Sequence, residues 1–78
     1  MTALVVFAHG SSVAAANEAV ARVTERMAAE GGYELVETSY LEMAQPDLPA
    51  AVERVIERGA TRGIVIPYFL TLGIHLRR

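Results

Sequence analysis

Leu4-Val5-Val6-Phe7-Ala8-His9-Gly10-Ser11-Ser12 decides the fold, because an unbroken apolar run stops at a histidine, a glycine and two hydroxyls before helix-like sequence begins. A segment apolar at every position, rather than at alternate ones, suits a strand covered on both faces, as in a parallel sheet flanked by helices. The run therefore predicts a strand over Ala3–Ala8 with His9 at its carboxyl end. In open α/β sheets ligands bind at that edge, where the free amides of the next helix add a donor-rich surface.

Working outward, Val13, Ala16, Val20, Val23 and Met27 recur every three or four residues, with Glu18, Arg22, Glu25, Arg26 and Glu30 filling the opposite side. This spacing predicts an amphipathic helix, capped by Ser11 or Ser12 and ended by Gly31-Gly32. Tyr33–Tyr40 mixes β-branched and aromatic residues with Glu34, Glu37, Thr38 and Ser39, and reads as an edge strand. Asp47 with Pro49 in the first turn opens a second helix whose stripe is Leu48, Val52, Val55 and Ile56, stopping near Gly59. Gly63–Leu70 is again apolar and predicts a third strand, followed by what looks like a helix start over Thr71–Arg78.

The order β-α-β-α-β with short connections gives an α/β fold: a three-stranded parallel sheet, strand order 2-1-3, with right-handed crossovers and helices on both faces. The switch point lies between the first and third strands, so His9 and His75 are expected over neighbouring strand ends, with Glu42 after the second strand.

With 78 residues the chain suffices for one domain, spanning 1–78, and a chain this short buries only about 60% of its unfolded surface. A hydrophobic share of 53% excludes a disordered tail. Net charge −2 argues against nucleic acid as a partner. The absence of cysteine excludes a disulfide framework and a thiolate metal site, so a metal would need histidine or carboxylate. No apolar run approaches the roughly 18 residues of a membrane helix, and no basic leader precedes the first strand, so the expectation is a cytoplasmic protein without a membrane partner.

Two histidines and a carboxylate on one rim form a ligand set for a borderline divalent ion such as cobalt, nickel, iron or zinc. On spacing alone each has a plainer alternative: His9 as a strand-end histidine bonded to a carbonyl, Glu42 as a solvated loop carboxylate, and His75 as an exposed residue near the terminus. Ser11 and Ser12 read as caps rather than nucleophiles, since no Gly-x-Ser-x-Gly elbow is present. The Gly10-Ser11-Ser12 turn can receive an anion but lacks the glycine spacing and lysine of a P-loop.

Three segments carry a resemblance. Phe7-Ala8-His9-Gly10-Ser11 before Asn17-Glu18-Ala19, Tyr40-Leu41-Glu42-Met43-Ala44-Gln45-Pro46-Asp47-Leu48-Pro49, and Pro67-Tyr68-Phe69-Leu70-Thr71-Leu72-Gly73-Ile74-His75-Leu76 resemble, in order, the motifs of the small class II tetrapyrrole chelatases, the CbiX/SirB type of sirohydrochlorin chelatase. The resemblance covers essentially the whole chain and implies a chelatase-like, flavodoxin-like α/β half. Family members continue through a further helix, strand and closing helix, so the domain is expected to be incomplete at its carboxyl end.

By this resemblance the metal and catalytic positions fall on His9, Glu42 and His75; the exposed amides and hydroxyls of Gly10, Ser11 and Ser12, and Arg77 or Arg78, are suited by their own chemistry to receive the substrate's carboxylates. The implied reaction inserts Co²⁺, or Fe²⁺ or Ni²⁺, into a sirohydrochlorin-like tetrapyrrole in cobalamin or siroheme biosynthesis. The metal is then a substrate, and no organic cofactor is expected. Neutral imidazoles suit this chemistry because they both bind metal and accept the departing pyrrole protons near neutral pH. A non-catalytic metal- or tetrapyrrole-binding module, or an inactive truncated domain, is the other reading. The apolar third strand, left at an edge, predicts a homodimer or larger assembly.

Overall fold

The apolar run becomes the central strand. The structure, a computed structural model, describes residues 1–69, in the order β1 (Thr2–Ala8), α1 (Ala14–Gly31), β2 (Leu35–Tyr40), α2 (Leu48–Glu57) and β3 (Arg62–Tyr68). All pairing is parallel and the order is β2-β1-β3, as expected from the polar second strand. Leu4 lies between Val36 and Ile64, and Ala8 between Tyr40 and Tyr68, so the three carboxyl ends form one rim.

Alternate residues of β1 enter different cores. Leu4, Val6 and Ala8 pack with Val20 and Ala28 of α1, whereas Ala3 and Val5 pack with Ala51 and Val55 of α2. A helix on each face is the physical reason β1 has no polar position from Ala3 to Ala8. Leu4, Val5 and Val6 are essentially inaccessible, and burial of each contributes roughly 1.5–3 kcal/mol.

The buried stripe of α1 is Val20, Thr24 and Ala28, rotated from the expected one. Val23 and Met27 are half-buried flanks, while Val13 and Ala16 are exposed. Thr24 takes a core position because its hydroxyl donates to Val20 O at 3.0 Å, which removes the penalty of burying it. The small Ala28 lets the helix end lie close to the sheet. The expected serine cap is also corrected. Val13 is the N-cap, and its hydrocarbon side chain has no oxygen to offer; Ser11 Oγ instead accepts from Val13 N at 3.0 Å, before the helix begins. Gly32, in the left-handed region at φ 76°, ends the helix by donating to Ala28 O.

β2 begins at Leu35 rather than Tyr33, and its polar residues are satisfied rather than solvated. Ser39, fully buried, donates to Val6 O at 3.1 Å. Glu37, only 12% exposed, meets Arg54 at 3.5 Å and Arg58 at 3.7 Å, which ties β2 to α2. Asp47 caps α2 as expected, accepting from Ala50 N at 3.0 Å, a contribution of about 1 kcal/mol. Ile56, expected on the buried stripe, is exposed, because α2 meets β1 through Ala51 and Val55, which pack on Ala3 and Val5. β3 ends at Tyr68, and Ile64 and Val65 on it are 37% and 46% exposed. The expected helix start over Thr71–Arg78, like Leu70, lies outside the described residues.

Candidate functional site

Two loops leave the rim side by side, one after β1 and one after β2. Backbone bonds continue the pairing past the strand ends: Leu41 N donates to Ala8 O at 2.8 Å and Glu42 N to His9 O at 3.1 Å. This approach is possible only at a glycine. Gly10 has φ +94°, and a Cβ there would lie 1.8 Å from Glu42 O.

The consequence is that His9 Nε2 and Glu42 Oε2 stand 3.5 Å apart, with side chains 52% and 51% exposed. That separation exceeds a good hydrogen bond of about 2.7–3.2 Å, and an exposed pair is worth only about 0–1 kcal/mol. Neither group is therefore committed to the other. An imidazole lone pair and a carboxylate face solvent together, a nitrogen–oxygen donor set suited to a borderline divalent ion. Phe69 walls the imidazole edge-on, at 6.3 Å between centroids and 72°, and packs likewise on Phe7 at 5.7 Å and 81°.

A hollow of ≈ 230 Å³ opens beside His9 between β1, β3 and the start of α1, lined in part by Gly10, Ser11, Asn17, Val20 and Tyr68. Larger hollows lie elsewhere, one of ≈ 470 Å³ at the opposite end of the sheet by Met1 and Gly32, one of ≈ 440 Å³ between α2 and β3, and one of ≈ 310 Å³ between α1 and β2 lined in part by Glu25 and Glu37. None of the three contains a histidine, and in the last Glu37 is already paired with Arg54 and Arg58, so chemistry rather than size selects the rim. At its volume the hollow admits the edge of a large flat ligand and leaves the rest open.

Of the residues expected at the site, His9, Glu42, Gly10 and Ser11 come together, and Ser12 is exposed beside them. His75, Arg77 and Arg78 lie outside the described residues. Among the described residues no group of three histidine, cysteine or carboxylate side chains forms a metal cluster.

Asn17 went unrecognised as a site residue. Its Oδ1 accepts from Ser11 N at 3.0 Å and its Nδ2 donates to Ser11 O at 2.8 Å. The amide of Ser11 is thus occupied, while among the described residues its hydroxyl hydrogen has no acceptor. Tyr40 Oη donates to Asn17 O at 2.9 Å, and burial pushes its phenol above the ordinary range, so it remains a donor at neutral pH. The available signal was an asparagine, a poor helix former, following Ala14-Ala15-Ala16 in a first turn.

The family model described as CbiX matches residues 3–78. The sirohydrochlorin cobaltochelatase of Methanocaldococcus jannaschii is 38% identical over 78 residues, which are 100% of this chain and 54% of that protein. The sirohydrochlorin cobaltochelatase of Methanopyrus kandleri is 32% identical with the same coverage, and the chloroplastic sirohydrochlorin ferrochelatase of Arabidopsis thaliana is 29% identical over 92% of this chain and 32% of its own. The crystal structure of a cobalamin (vitamin B12) biosynthesis CbiX protein from Marinobacter aquaeolei VT8 superposes with a TM-score of 0.71 at 32% identity, covering 100% of this chain and 63% of that one. The chain spans about half the length of the curated relatives it matches.

Proposed function

The chain belongs to the CbiX family, and we propose that it acts in inserting a divalent metal ion into sirohydrochlorin, with the His9–Glu42 rim handling both the ion and the displaced protons. The observation that carries this is the uncommitted pair at 3.5 Å on an open edge. Cobalt is the metal we propose, in keeping with the names of relatives at 38%, 36% and 37% identity. Iron and nickel are the runners-up.

In the overall reaction M²⁺ replaces two pyrrole protons, so the products are the metallated macrocycle and two H⁺. Neutral His9 binds the ion as it sheds water, then takes up a proton once the ion has passed to the ring. Glu42 supplies a harder ligand or the second proton acceptor. Both side chains are half-exposed, which allows protons to pass on to water and keeps the ion from being closed into a four-ligand cage. His75 is the third ligand by resemblance to the family. The Ser11 hydroxyl, with Gly10 and Ser12 beside it and Arg77 and Arg78 by proposal, receives the substrate carboxylates.

Metal binding should weaken on acidification, since a protonated imidazole has no lone pair to offer. Calorimetric titration with Co²⁺ across the acid-to-neutral range should show affinity rising with pH; affinity independent of pH would remove His9 from the metal site.

The assembly we propose is a homodimer. Ile64 and Val65 of β3 and Ile56 of α2 are 37%, 46% and 58% exposed, so each forgoes about half of the roughly 1.5–3 kcal/mol that full burial contributes. Sedimentation at micromolar concentration should show a dimer or larger, and a monomer would refute this. The proposed compartment is the cytoplasm, in keeping with a chain that has no cysteine. Among the described residues no helix is long and apolar enough to cross a membrane.

A further inference from the structure

Asn17 is the one first-turn residue of α1 whose side chain reaches out of the helix to the rim loop. Its carboxamide forms a closed ring with Ser11, accepting from Ser11 N at 3.0 Å and donating to Ser11 O at 2.8 Å. A reciprocal pair of this kind fixes the orientation of the Ser11 peptide as well as its position, because both bonds are met in one geometry only. The main chain of Asn17 faces the other loop: its carbonyl accepts from Tyr40 Oη at 2.9 Å, and Tyr40 is the last residue of β2, two before Glu42. The circuit closes where Glu42 N donates to His9 O at 3.1 Å.

We propose that Asn17 is a positioning residue, setting the His9–Glu42 separation through this circuit rather than by ligating the metal. The proposal rests on the reading of those two residues as the metal-handling pair.

A plainer role would be to start the helix, and the geometry speaks against it. Both side-chain bonds of Asn17 go to Ser11, outside α1, and the helix start is closed separately by Ala16 N donating to Val13 O at 3.0 Å. Asn17→Ala improves the intrinsic helix propensity, and Asn17→Asp adds a negative charge where the helix dipole favours one. Asn17→Asp retains the acceptor for Ser11 N but turns an oxygen toward Ser11 O. Neither variant should weaken α1, and both should loosen the loop.

The test is amide hydrogen exchange of the parent chain, Asn17→Ala and Asn17→Asp, with a Co²⁺ titration of each and of His9→Ala. The expected result is unchanged protection through α1 and β1, exchange about tenfold faster at Ser11 in Asn17→Ala and at Glu42 in both variants, and Co²⁺ binding roughly tenfold weaker, the low end of what loss of an outer partner costs a metal site. Unchanged exchange at Glu42 in both variants overturns the proposal. So does a loss of protection spread through α1, which would mark a general folding role. If Asn17→Ala does not fold, Asn17→Asp carries the readouts at Glu42 and on Co²⁺. If His9→Ala binds Co²⁺ as the parent does, the metal-site reading fails, while exchange at Glu42 still decides whether Asn17 sets the loop pair.

Discussion

Gly10→Ala is expected to lower the melting temperature by roughly 10 °C or more, judged from the 4–8 °C per kcal/mol of a domain this size. Two penalties combine. At φ +94° an alanine is strained, which costs of order 1–3 kcal/mol. Its methyl would also stand 1.8 Å from Glu42 O and 2.9 Å from Glu42 C, backbone atoms that cannot swing aside. One loop must then withdraw, breaking Glu42 N to His9 O and straining Leu41 N to Ala8 O, at about 0.5–1.5 kcal/mol for each bond lost. Gly59→Ala separates the two penalties, because Gly59 has φ +110° but nothing within 4 Å of the added methyl. Thermal melts followed by circular dichroism should place Gly10→Ala well below Gly59→Ala. Equal melting of the two would show that the Glu42 loop yields freely.

His9→Ala is expected to leave the fold intact and remove metal binding. The side chain is 52% exposed and its contact with Glu42 is long, so its loss should change stability by no more than about 1 kcal/mol. The backbone carbonyl that receives Glu42 N is retained. Loss of a metal-binding side chain should exceed the 10–100-fold effect of an outer partner, so Co²⁺ affinity should fall at least about 100-fold. Calorimetry beside a melting curve checks both halves, and tight Co²⁺ binding by the variant would exclude His9 as a ligand.

The fold was legible where a local pattern has one physical solution. A strand apolar at each of Leu4, Val5, Val6, Phe7 and Ala8 must be covered on both faces, and that alone implies helices above and below. The polar Glu37, Thr38 and Ser39 placed β2 at an edge, although Ser39 and Glu37 are satisfied by Val6 O and by Arg54 and Arg58. What escaped were features made by distant partners. Thr24 reads as polar until its bond to Val20 O is seen, and that bond rotates the face α1 presents. Ser11 looks like a cap, but its hydroxyl oxygen accepts from Val13 N ahead of the helix, and its amide and carbonyl are taken by Asn17. The place of His9 and Glu42 on one rim followed from the order of strands. Their 3.5 Å separation did not, because it depends on Gly10 admitting a backbone 32 residues away in sequence, which no local spacing encodes.

The most direct measurement is the rate of the Soret and Q-band shift when sirohydrochlorin and Co²⁺ are mixed at neutral pH alone, with this chain, and with its His9→Ala variant. Metal insertion through the His9–Glu42 rim predicts acceleration by the parent chain and the uncatalysed rate with the variant. Three identical rates, or equal acceleration by parent and variant, would contradict it.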